Sequence, residues 1–281
     1  MKIVVLATGG FAVPSLRWLA HSRDHEVVSF VTRPVRTRPG RRDPPPAPAP
    51  AAAQEFGWPI HTPTTVNDAS THGLLRREAP DLFFVCDYGE ILTADTLRCA
   101  RLGGINLHGS LLPDYRGAAP VQWAILEGRV ETGVSVIQMS PRLDAGPVLS
   151  QRRLAIHPDE SAEELEARLA ELGPGAVAEA MELLQTWDGS STIGTLQSRG
   201  VPAPKAPRLR KEDGQLDWNQ DATVLHHRVR ALWPWPGTFT TWRRPDGDAV
   251  VLKIVRAQAC PHGSDEMGLG PTRPMEQDMA P

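Results

Sequence analysis

The chain has 281 residues, 41% of them apolar, which suffices for one large or two ordinary domains with a sizeable core. A formal net charge of −3 excludes a protein that binds polyanions over its whole surface, so any nucleic-acid contact must come from a local patch. The three cysteines, Cys86, Cys99 and Cys260, form no CxxC pair and no zinc spacing. Reduced, buried thiols in a cytoplasmic protein are expected.

Residues 2–7 read as a continuous apolar strand rather than a signal peptide, and no apolar run approaches the roughly 18 residues of a membrane span. Thr8-Gly9-Gly10 follows. The paired glycines suit either a tight strand-to-helix turn or a nucleotide-binding turn. The GxGxxG fingerprint is absent, which favours the plain turn. A helix starts near Pro14, a residue suited to a first helical position. Residues 27–32 form a second strand.

Arg33, Arg36, Arg38, Arg41 and Arg42 then crowd into one stretch with Asp43 as its single acid, a local charge of five minus one, +4. Prolines between 34 and 50 predict an extended segment without regular structure. The pattern suits either a solvated loop or a phosphate-binding arm. A weak strand at 60–61, a helix at 74–79 and a buried strand at 81–86 come next. Residues 104–107 and 134–139 add strands, and 121–127 and 162–172 add helices. Ser161 with Glu164 is a capping-box pattern, and 173–182 continues that helix. Strands alternating with helices predict a parallel α/β sheet.

A Gly, Ser and Pro-rich stretch at 189–207 reads as a linker. Residues 216–218, 222–232, 238–242 and 249–255 then read as strand, helix, strand, strand. The expected division is 1–188, a linker at 189–207, a small domain at 208–259 and a loose tail at 260–281.

The densest chemistry is at Asn106 and His108. Two residues apart on a strand, they share one face. An amide that polarises a carbonyl, beside an imidazole that moves a proton, equips a protein for acyl-type transfer. Asp144 supplies a carboxylate to orient the imidazole and to accept a proton. Each alone also fits a plainer role in a loop or turn.

The run from Gly104 to Pro120, containing Asn106-Leu107-His108-Gly109-Ser110-Leu111-Leu112-Pro113, resembles the signature of the folate-dependent formyltransferases. Thr132-Gly133-Val134 and Leu143-Asp144-Ala145-Gly146 resemble its two following segments. The tRNA-formylating branch is matched by Phe11–Leu16, Arg208-Leu209, Lys211–Gly214, Asp217-Trp218, Arg230–Leu232 and Pro234–Gly237. The resemblance covers about residues 1–257.

It implies a Rossmann-like catalytic domain with a parallel-rich sheet, followed by a small β-rich, OB-like domain that is truncated here. It also implies 10-formyltetrahydrofolate as cosubstrate, no metal, and initiator methionyl-tRNA as acceptor. The enzyme is expected to be a cytoplasmic monomer. Asn106, His108 and Asp144 become the catalytic residues. Ser110, Leu111, Leu112 and Pro113, with Tyr88, Gly89, Ile91 and Leu92, become the folate site, and Arg116-Gly117 a closing loop. Arg36, Arg38, Arg41 and Arg42 become the tRNA loop, Gly40-Arg41 resembling the start of the branch's basic stretch.

Two departures stand out. Thr8-Gly9-Gly10-Phe11 replaces a Gly-Thr-Pro-Asp-Phe turn and loses its Asp, and only two or three C-terminal strands are predicted where an OB fold has five. The short C-terminus keeps transfer to a small amine, such as an amino sugar, as the alternative acceptor reaction. Hydrolysis of the formyl folate uses the same polar residues, and a non-catalytic folate- or RNA-binding protein is the remaining reading.

Overall fold

The computed structural model describes residues 1–35, 47–197 and 203–260. Its main sheet begins with five parallel strands, β1 (Lys2–Ala7), β2 (Glu26–Val31), β3 (Ile60–His61), β4 (Leu82–Cys86) and β5 (Gly104–His108), in the spatial order β3-β2-β1-β4-β5. A two-residue strand, β6 (Arg116–Gly117), leaves this sheet. Strands β7 (Glu131–Gln138) and β8 (Val148–Ala155) then extend its β5 edge in antiparallel fashion.

The central strands β1 and β4 are apolar nearly along their length because both faces are covered. Ile3, Val5 and Ala7 point into a core closed by α1 (Val13–Ala20), α2 (Pro48–Glu55), α5 (Pro120–Leu126) and α6 (Ala162–Gln185). Val4 and Leu6 point the other way, against α3 (Ala69–Glu78) and α4 (Ala94–Leu97). Strand order runs outward in both directions from β1 and β4. Connections therefore leave those two strands toward opposite sides and open a crevice at their carboxyl ends.

The linker region returns to the catalytic domain. Strand β9 (Lys205–Ala206) pairs with β6, and Val148 bridges to Thr195. Beyond it, α7 (Ala222–Ala231) packs on α5, with Ala119, Leu209 and Leu232 buried between them. Strands β10 (Thr238–Arg243) and β11 (Ala249–Ile254) form a hairpin.

Three sequence expectations change. Residues 216–218 are not a strand: Gln215 makes a lone bridge to Phe239, and Trp218 caps the hairpin by donating its indole N–H to Thr240 Oγ1 at 2.8 Å. The proline-rich stretch is not irregular throughout, because Pro48 starts α2, where the missing N–H of a first-turn proline has no intrahelical partner to lose. Strand β8 escaped prediction because its charged residues break the apolar pattern on the sheet edge.

Candidate active site

The crevice at the carboxyl ends of β1, β4 and β5 is a cleft of about 610 Å³. Ile105 and Leu107 enter the core, which leaves Asn106 and His108 to the other side of β5 and to the cleft. Asp144 reaches the same cleft from the loop between β7 and β8, so the structure brings together the three polar residues singled out from sequence.

His108 is held firmly. Its Nε2 lies 3.0 Å from the carbonyl oxygen of Tyr115. A carbonyl only accepts, so Nε2 carries the proton and Nδ1 is the working nitrogen. Nδ1 lies 3.9 Å from Asp144 Oδ2, with the two side chains 7% and 10% exposed. The tautomer expected to be set by Asp144 is thus set by Tyr115, and Asp144 stands one step beyond hydrogen-bond reach of the imidazole.

Asp144 is itself positioned by the backbone. Its φ is +46°, and Oδ2 accepts the N–H of Gly117 at 3.0 Å. Gly117 has φ +131°, and a Cβ there would lie 2.2 Å from the carbonyl oxygen of Ala206, so only glycine brings this N–H so close to β9. Gln197 donates to the carbonyls of Asp144 and Gly146 at 2.8 and 2.7 Å, and Arg116 Nε donates to Gln197 Oε1 at 2.9 Å. Arg116 therefore acts on the site through Gln197.

Tyr88, Gly89, Ile91 and Leu92 line the cleft as expected from the resemblance. Their loop is pinned from beneath: Asn67 Nδ2 donates to Glu90 Oε1 and to the Ile91 carbonyl, each at 2.9 Å, and Arg33 donates to the Gly89 carbonyl at 3.2 Å. Ile91 is exposed to the cleft, whereas Leu92 is buried. Burial pushes the Tyr88 hydroxyl up to about 12.

Ser110, Leu111, Leu112 and Pro113 are placed elsewhere. None lines the main cleft, and the last three border a separate hollow of about 390 Å³. Ser110 Oγ donates to the Asp114 carbonyl at 2.6 Å, the Leu112 N–H donates to Ser135 Oγ at 3.0 Å, and Gln151 donates to the Leu112 carbonyl at 2.9 Å. This braced turn ends at Tyr115, whose carbonyl holds His108. Arg36, Arg38, Arg41 and Arg42 lie outside the described residues.

Two cleft residues were missed in the sequence. Asp87 follows β4, at φ +49°, and is exposed although the five strand residues before it are buried, because the cleft opens onto it. Glu166, on α6, lines the same cleft. Burial raises the Asp87 carboxyl, with His108 opposing the shift; burial and then the charge of Asp87 push Glu166 up to about 7. A charged residue directly after a buried parallel strand was a readable signal for Asp87. Glu166 gave none, since an acid on an amphipathic helix usually faces water.

A family model described as formyl transferase matches residues 1–181, and one for the formyl transferase C-terminal domain matches 208–273. The chain belongs to the formyl transferase family. Among its curated relatives, the methionyl-tRNA formyltransferase of Rhodopirellula baltica is 45% identical over 245 residues, covering 85% of this chain and 73% of the relative. That of Anaeromyxobacter dehalogenans is 42% identical over 259 residues, covering 92% and 80%. In fold, the chain is similar to a 4-N formyltransferase from Francisella tularensis, with a TM-score of 0.66 at 15% identity, covering 92% of this chain and 98% of that one.

Proposed function

We propose that this protein transfers the formyl group of 10-formyltetrahydrofolate to the α-amino group of methionyl-tRNA. The convergence of Asn106, His108 and Asp144 on one cleft carries the formyl-transfer reading. The relatives' shared name and their coverage carry the acceptor. No metal-binding cluster of His, Cys, Asp or Glu occurs among the described residues, and no helix there is long and apolar enough to cross a membrane. The cytoplasm, where charged tRNA and reduced folates are available, is the proposed location.

The loop Tyr88–Leu92 and the Ile137–Asp144 side offer backbone polar groups and apolar walls suited to a pterin. Phe11, Gly117, Ala118, Pro120, Val121 and Gln122 also line the cleft, and we assign that stretch to the acceptor. In the same cleft Asn106 donates its amide N–H to the formyl oxygen as the amine attacks and negative charge collects there. Protonated at Nδ1, His108 adds a charge-assisted donor. As the tetrahedral centre collapses, His108 gives its Nδ1 proton to the departing folate nitrogen, and the freed Nδ1 takes the proton given up by the attacking nitrogen. Asp144 balances the imidazolium.

The test is a formyl-transfer assay with charged initiator tRNA beside a panel of amino sugars. Transfer to methionyl-tRNA is expected, with an acceptor KM that rises as salt increases, since arginine–phosphate contacts are screened. Transfer to sugars alone would overturn the acceptor assignment.

A further inference from the structure

Asp87 and Glu166 line the same cleft as Asn106 and His108, and the mechanism above uses neither. The side chain of Asp87 is laid over Gly9: a Cβ on Gly9 would come within 2.6 Å of Asp87 Oδ2. The glycine of the first turn thus makes room for this carboxylate. Asp87 holds a left-handed backbone that non-glycine residues seldom adopt, as strained residues at functional sites do. Among the described residues, neither carboxylate takes part in a hydrogen bond or an ion pair that would satisfy it. The charged and titratable groups that act on the pair are His108 from β5, Glu163 from α6 and the Cys86 thiol from β4; His108 alone can oppose its charge.

Two carboxylates that line one cleft and repel each other are relieved when a ligand brings a cation between them. The folate cannot, because its glutamate tail is anionic. The acceptor can: before its nitrogen attacks, it is an ammonium. We propose that Asp87 and Glu166 together receive the acceptor's ammonium group and take the proton it must lose. This rests on the formyl-transfer reading. In the step, one N–H bond of R–NH3⁺ breaks and one carboxylate O–H bond forms, leaving R–NH2 with its lone pair free. The second nitrogen-bound proton leaves later, to the freed Nδ1 of His108. The carboxyl proton returns to solvent through the open cleft. One proton shared between two carboxylates leaves a single negative charge, matched to one ammonium.

The experiment compares wild type with Asp87→Asn, Glu166→Gln and Gly9→Ala. The last keeps both carboxylates but displaces Asp87. Rates with methionyl-tRNA are followed from pH 6 to 9, beside affinity for 5-formyltetrahydrofolate and thermal unfolding. Asp87→Asn is expected to lower kcat/KM about 30-fold at pH 6.5 and only a few-fold at pH 9, where the amine loses its proton unaided. Glu166→Gln and Gly9→Ala follow with smaller losses of the same pH form, and folate affinity stays unchanged. A loss equal at all pH values, a loss of folate affinity, or no loss overturns the proposal. If wild type formylates an amino sugar but not methionyl-tRNA, the acceptor reading fails, and the same pH series with that sugar decides the pair.

Discussion

Asp144 and Asp87 are the same side chain in the same left-handed backbone region, on one cleft, in opposite surroundings. Asp144 is tied down: it accepts the Gly117 N–H, and its own carbonyl is gripped by Gln197. Asp87 makes no hydrogen bond or ion pair among the described residues and lies over a bare glycine, its charge acting on a second acid. The contrast teaches that environment, not residue type, divides the work. In the proposed mechanism the anchored carboxylate balances the imidazolium, and the unanchored one receives the acceptor's ammonium.

Variants can break or sharpen that contrast. The largest effect is expected for Asn106→Ala: turnover should fall about 150-fold, about 3 kcal/mol of barrier, with folate affinity nearly intact. Single-turnover formyl transfer measures it, and near-normal turnover would remove Asn106 from the reaction. Asp144→Asn should lower kcat about a hundredfold and by the same factor at every pH between 6 and 9. A loss confined to low pH would make it a second Asp87 and erase the distinction.

Gln197→Ala should cost about tenfold in kcat with little change in melting temperature. It removes two hydrogen bonds to the Asp144 loop but no core contact. Restoration by Gln197→Asn is not expected, since the shorter side chain falls short of both carbonyls.

The smallest effect concerns stability. The native Glu166 carboxyl is raised from 4.5 to about 7. The native state therefore binds its proton more tightly than the unfolded chain, a stabilisation complete below pH 4.5 and lost as pH rises through about 7. Glu166→Gln escapes that loss. It should unfold at a higher temperature than wild type at pH 8, by about 1 kcal/mol of stability, and show no such advantage at pH 4. Melts at the two pH values decide it.

Much of the sheet was legible because buried parallel strands are apolar runs bounded by turn residues. Strands at 2–7, 81–86 and 104–107 stand within a residue or two of those expectations. The weakest readings were β8 and residues 216–218, where edge position or a lone bridge overrides local pattern. Asn106 and His108 were legible for the same reason as the strand that carries them, since a period of two puts both on one face.

What the sequence by itself determined is therefore the α/β character of the chain, the Asn106–His108 pair on one face of a strand and the family resemblance, all of which depend on residues near one another in the chain. Only the tertiary structure decided which groups complete the site. Tyr115 rather than Asp144 fixes the tautomer of His108, Gln197 crosses from the linker to grip the Asp144 loop, and Asp87 lies over Gly9 in the cleft that Glu166 also lines. These partners lie far apart in sequence, and only the crossing of strands at the crevice brings them together. No local pattern encodes a contact whose distance is set by the packing of a whole sheet against its helices.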